Sequence, residues 1–258
     1  MVKNKTNLLF CGFVILSACA AVLPIAVIAL GSLENGLQSY EDFFLWKPLY
    51  LKHYVNSIFI SGISSVLSVT VAVLAAYVFA KKNFRGKNIL FFLYVIVMMM
   101  PFQVTLLPQY IVSRELGIFD TYGALILPAV FAPFSVFFLT QTIKTLPNDM
   151  FEAASLETSS TLTVVWRILL PNLRAGIAVA FVLSFAECWN MIEQPLVLLD
   201  DAGKYPFSVL FRTVMESDPE MAFTAAVMAL VLPALLYAFF QDELADSIDA
   251  GCFDGNLN

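Results

Sequence analysis

Residues 147–171 read Pro147-Asn148-Asp149-Met150-Phe151-Glu152-Ala153-Ala154-Ser155-Leu156-Glu157-Thr158-Ser159-Ser160-Thr161-Leu162-Thr163-Val164-Val165-Trp166-Arg167-Ile168-Leu169-Leu170-Pro171, a polar segment between two long apolar stretches. Of the chain's 258 residues 60% are hydrophobic and 13% charged, against roughly 25% charge in soluble domains. Such a composition excludes a soluble globular protein. A hydrocarbon core about 30 Å thick asks for roughly 20 apolar residues per helical crossing. Windows of that size predict six spans, over 8–29, 56–80, 89–107, 122–142, 176–199 and 222–240. Apolar runs this long specify helices, since barrel strands alternate in segments of about ten residues. The expected fold is an all-α integral membrane protein with one membrane domain over 1–258, and segment 147–171 is its loop between the fourth and fifth spans.

Cations set the orientation. With the N-terminus inside, Lys3, Lys5, Lys81, Lys82, Arg85, Lys87, Lys144, Arg167 and Arg174 face the cytoplasm, while Lys47, Lys52, Arg114, Lys204 and Arg212 lie outside. This bias predicts cytoplasmic termini and a cytoplasmic 147–171 loop in a multi-pass protein. Ala29-Leu30-Gly31 has cleavage-like spacing, but the preceding apolar run exceeds a signal core, which favours an uncleaved anchor. Cys11, Cys19, Cys188 and Cys252 form no Cys-x-x-Cys pair and read as small apolar fillers; His53, the single histidine, reads as an interfacial polar residue. No metal site is expected. Pro101, Pro128, Pro133, Pro195 and Pro233 fall within the predicted spans, with Pro108 at the end of the third, and favour kinks, for packing or to open a cavity.

Within the polar segment, Asp149 is the expected N-cap of a short helix, with Glu152 three residues on. Ala153 and Ala154 have almost no side chain, which suits either a plain helix or close approach by another surface. Thr158, Ser159 or Ser160 can cap a second helix, in which Leu162, Val165, Trp166 and Leu169 recur at helical spacing.

The triplet Glu152-Ala153-Ala154, three residues, Thr158, nine residues and Ile168-Leu169-Leu170-Pro171 resemble the EAA loop of binding-protein-dependent ABC importer permeases. Thr158 departs from that pattern, which has glycine at its position. Tyr77-Val78-Phe79-Ala80, Met99-Met100-Pro101-Phe102-Gln103-Val104-Thr105-Leu106-Leu107-Pro108, Leu116-Gly117, Leu125-Ile126-Leu127-Pro128 and Trp189-Asn190 extend the likeness over 8–243. They are similar to the carbohydrate branch, specifically the maltose-type second permease subunit. The resemblance implies six membrane helices and a helix-turn-helix that docks on an ATPase through Glu152, Ala153, Ala154, Thr158, Leu170 and Pro171. It also implies a bacterial-type plasma membrane, a second permease subunit on a different chain, two ATPase subunits and an extracytoplasmic solute-binding protein. No Gly-x-x-x-x-Gly-Lys-Ser/Thr occurs in the chain, so ATP and Mg belong to the partner ATPase and this chain is expected to bind no cofactor and no nucleic acid. The tail departs from the family's basic pattern, with Asp242, Glu243, Asp246, Asp249 and Asp254 and no Lys or Arg after Arg212.

Charged groups in an apolar span rarely face lipid. Along a continuous helix Glu187, Asn190 and Gln194 share one face, with Glu193 offset, and Gln103 lies beside Pro101 in the third span. These five are candidates for a solute pathway, where carboxylate and amides meet sugar hydroxyls; as structural glue they would instead bond neighbouring helices. The expected function is a permease subunit of an ATP-driven sugar or oligosaccharide importer. The alternatives are an ion-coupled secondary carrier using Glu187 or Glu193, and a membrane hydrolase, for which the glutamates lack a His or metal partner.

Overall fold

Backbone in hydrocarbon must satisfy its own hydrogen bonds, and every regular element among the described residues is helical. The computed structural model describes residues 2–34, 36–158 and 160–245. Ser159, Cys252 and the tail acids Asp246, Asp249 and Asp254 lie outside them, as do the side chains of Lys3, Lys5 and Cys11. The helices are α1 (Val2–Gly31), α2 (Gln38–Glu41, continued by a π turn Asp42–Trp46), α3 (Pro48–Lys81), α4 (Lys87–Met98), α5 (Phe102–Glu115), α6 (Tyr122–Val130), α7 (Pro133–Thr145), α8 (Asn148–Glu157), α9 (Thr161–Val164), α10 (Leu170–Trp189), α11 (Glu193–Leu198), α12 (Phe207–Ser217) and α13 (Pro219–Phe239).

Among the described residues four stretches are long and apolar enough to cross a membrane: Pro48–Lys81, Tyr122–Thr145, Thr161–Trp189 and Met221–Phe239. A fifth is reached if α4 and α5 count together, although they are bent by 102°. The apolar part of α1 with described side chains is the shorter Leu16–Gly31. Two predicted spans are therefore broken. Pro101 removes an amide and disfavours the helical region for the residue before it, and Met100 forms a bend there, so the 89–107 window becomes a sharply bent pair. The 176–199 window splits at Asn190–Ile192, where Pro195 falls in the first turn of α11 and displaces no helical bond.

The chain forms two compact units. The first comprises the residues up to Lys52 with Leu210–Leu232. Here Gly31 lets α1 approach α13, since a Cβ on it would lie 2.9 Å from the Phe223 ring. Lys47 Nζ lies 3.4 Å from Asp218 Oδ2, and Phe43 is fully buried.

The second unit runs from His53 to Val209 and resumes at Pro233. Its core packs Val69, Ala72, Val73 and Ala76 of α3 against Val136, Leu139 and Ile143 of α7 and Leu173 and Ala180 of α10. Gly176 permits the α10–α7 approach, because a Cβ there would sit 3.0 Å from Thr142 Cγ2. The start of α3 grips the 203–207 turn: Asn56 Nδ2 donates to Gly203 O and Tyr205 O, both at 3.1 Å, and Ser57 Oγ accepts from Phe207 N at 2.7 Å. His53 is buried, with Nδ1 2.6 Å from Tyr205 O. A buried polar ring needs such a partner.

Asp120 joins the α5–α6 turn to the turn after α11. It holds a left-handed φ of 57°, and its Oδ1 accepts from Asp200 N and Asp201 N at 3.0 Å while Lys204 Nζ lies 2.8 Å from Oδ2. The Asp201 amide and the Lys204 ammonium hold the Asp120 carboxyl below the ordinary carboxylate range, and Asp120 holds Lys204 above the ordinary ammonium range. The depressed Asp120 value means that its contribution is present above its unfolded pKa, about 3.9, and is lost as pH falls through the folded value. Thermal unfolding of the purified assembly between about pH 6 and pH 3 should therefore show an acid-side loss of stability that Asp120→Asn reduces. An unchanged acid limb in the variant would exclude this role.

Candidate functional site

Helix α8 starts at Asn148, with Pro147 as its cap residue, so Asp149 lies in the first turn rather than at the expected N-cap. The extended ψ of 136° at Pro147 fixes this start, and Asp149 remains favourable near the positive helix end. Lys81 anchors the same end, donating to Leu146 O and Asn148 Oδ1, both at 2.8 Å, with its ammonium 4.5 Å from the Phe151 ring centroid. Sequence reading counted Lys81 only among the cytoplasmic cations; its position at the end of a long apolar helix was the available signal.

Thr158 shows how the turn forms without glycine. Its backbone is extended (φ −148°, ψ 140°), so no left-handed residue is needed. Thr158 Oγ1 accepts from Ser160 N at 3.2 Å, and Ser160 Oγ caps α9 by accepting from Thr163 N at 3.4 Å. A π turn Val165–Leu169 then joins α9 to α10, so the second helix of this unit is continuous with the following apolar helix.

The faces of this helix-turn-helix are distinct. Ala154, Val164, Val165 and Leu169 are buried against the α3 and α7 core. Glu152, Ala153 and Pro171 are exposed, Leu170 is half-buried, and Leu162 and Trp166 are 61% and 70% exposed. The two alanines of the triplet thus point different ways: Ala154 is packed inside this chain and is not available to another surface.

A second feature is a cavity of about 390 Å³ in the larger unit, bounded by α4, α5, α6, α7, α10 and the residues following α10. Glu187 and Gln194 line it together with Thr105, Gln109 and Ser184, set among Met98, Met100, Phe102, Phe134 and Met191. Gln109 Nε2 donates to Thr105 Oγ1 at 3.1 Å, while its buried Oε1 meets no partner among the described residues. Asn190 is not part of the lining. Helix α10 ends at Trp189, and Asn190 Nδ2 turns back to Ala186 O at 2.7 Å, capping the helix. The face counted on an unbroken helix therefore loses its middle member. Gln103 and Glu193 bond each other across 90 positions of sequence, Nε2 to Oε2 at 3.3 Å, and neither lines the cavity. Thr105, Gln109 and Ser184 were missed by sequence reading; Thr105 lies in the quoted 99–108 stretch, but nothing in its spacing singled it out.

Residues 68–249 match the model of a family described as binding-protein-dependent transport system inner membrane component. An arabinooligosaccharides transport system permease protein, AraQ, of Halalkalibacterium halodurans is 28% identical, covering 98% of this chain and 100% of the relative. A probable ABC transporter permease protein of Pyrococcus horikoshii is 31% identical over 72% of this chain and 69% of its own length. Among solved structures, a bacterial ABC transporter involved in import of the acidic polysaccharide alginate superposes with a TM-score of 0.81, covering 95% of this chain and 98% of the other at 18% identity. That likeness shows the fold alone.

Proposed function

This chain belongs to the family of binding-protein-dependent transport system inner membrane components, and from that membership we propose that it moves a sugar or oligosaccharide as one of two permease subunits in an ATP-driven importer. The solute is delivered by an extracytoplasmic solute-binding protein, and ATP and Mg are held by two ATPase subunits on other chains. Helix α1 supplies a sixth crossing, both termini are cytoplasmic, and the α8–α9 unit is the cytoplasmic coupling segment. The observation that carries this reading is the outward face of that unit, where Glu152, Ala153, Leu162 and Trp166 are exposed while Ala154 and Leu169 lock it to the core. A protruding element fixed rigidly to two long helices can transmit movement. Glu187 and Gln194 line the solute path.

The test is ATP-driven uptake of arabino- or gluco-oligosaccharides by proteoliposomes holding the purified assembly, with impermeant thiol labelling of Gln38→Cys and Ser160→Cys in a cysteine-free background on intact cells. Uptake should require ATP and the co-purifying ATPase, and position 38 should label while position 160 does not. Uptake driven by an ion gradient without ATPase would replace this reading with a secondary carrier, and labelling at 160 alone would invert the orientation.

A further inference from the structure

The cavity has a one-sided charge inventory. Among the described residues Glu187 is its one charged lining residue, and no Lys, Arg or His contributes. A second carboxylate, Glu193, is adjacent in sequence to the lining residue Gln194 and is bonded by the neutral amide of Gln103. The cations in neighbouring turns are engaged elsewhere. Arg114 stacks on Tyr110 and Phe119, 5.0 and 4.2 Å from their ring centroids, and Lys204 is paired with Asp120 at 2.8 Å. An ionised Glu187 projects a field into the cavity that no group in the lining offsets.

We infer that Glu187 makes this cavity a charge filter that admits neutral saccharides and rejects acidic ones, an inference that rests on reading the cavity as the solute path. A neutral sugar donates hydroxyl hydrogens to Glu187, exchanges hydrogen bonds with Gln194, and lays its C–H faces on Phe102, Phe134 and Met191. A uronate carries the same sign as Glu187 and meets no cation in the lining, a repulsive device of the kind that sets specificity.

The filter can be read without knowing the solute. In the full assembly in proteoliposomes, with Cys11, Cys19, Cys188 and Cys252 replaced by Ala, Gln194→Cys or Thr105→Cys places one thiol in the cavity. Its reaction rates are measured with methanethiosulfonates of similar size bearing a positive, zero or negative charge, each divided by the rate with free thiol. The cationic reagent should exceed the anionic one by about tenfold or more, a factor equal to roughly 1.4 kcal/mol. Adding Glu187→Gln should return the ratio to within about threefold of unity, below half a decade on that scale. A ratio near unity with Glu187 present, a ratio unmoved by Glu187→Gln, or failure of the neutral reagent to reach either thiol overturns the filter. ATP-driven uptake by the parent preparation separates the two readings. Uptake with a flat ratio removes the filter and leaves the importer, whereas a steep ratio without ATP-driven uptake counts against the importer and leaves the cavity's charge as described.

Discussion

Ala154→Asp is expected to abolish accumulation of the assembled permease, whereas Ala153→Asp, one residue earlier, should leave assembly intact and lower ATPase stimulation and uptake by about tenfold or more. Ala154 is 3% exposed and packed with Val73, Ala76, Ile143, Val164 and Leu169. A carboxylate forced into that apolar setting costs several kcal/mol or takes up a proton and still overfills the site. Against a total stability of about 5–15 kcal/mol, that is a large fraction of the margin, enough to send the variant to degradation before it assembles. Ala153 faces outward beside Glu152. A charge there leaves the core untouched and meets only whatever docks on the helix, and a tenfold loss corresponds to about 1.4 kcal/mol of coupling. The amount of permease in the membrane and the ATPase rate per assembly are measured separately. Normal accumulation of Ala154→Asp would refute the inward packing, and full stimulation with Ala153→Asp would refute docking on this face.

The two alanines show where sequence reading stops. Segment 147–171 was legible as a helix-turn-helix because its capping hydroxyls are short-range signals, and Ser160 makes such a cap. Which alanine faces inward was not legible, since two identical small residues carry no hydrophobic contrast to set a helical phase. Leu162, Val165, Trp166 and Leu169 did carry contrast, yet only Val165 and Leu169 are buried; the π turn starting at Val165 changes the phase that 3.6-residue spacing assumes. The same limit governs the spans. Long apolar runs announce helices, but whether a proline kinks or divides one depends on its surroundings. Pro128 and Pro233 stay inside helices, whereas Pro101 and Pro133 stand where new ones begin. Pairings such as Gln103 with Glu193, or Asp120 with Lys204, join residues at least 84 positions apart and exist only after the helices pack.

The break at Asn190 yields the second large effect. Gln194→Leu should lower uptake five- to tenfold with normal assembly, while Asn190→Leu should leave uptake within about twofold and reduce thermal stability slightly. Gln194 lines the cavity, and an amide that exchanges hydrogen bonds with a passing solute is worth about 1 kcal/mol. Leucine keeps most of the volume, so packing is little disturbed. Asn190 spends its amide on Ala186 O at the end of α10 and lies outside the lining. Its loss should be felt as a weakened helix end, of order 0.5–1.5 kcal/mol, rather than as altered passage. Both variants are compared by uptake per assembled complex and by melting temperature. Impaired uptake in Asn190→Leu together with full uptake in Gln194→Leu would restore the face counted along an unbroken helix, and would mean that α10 runs through Asn190 in the working transporter.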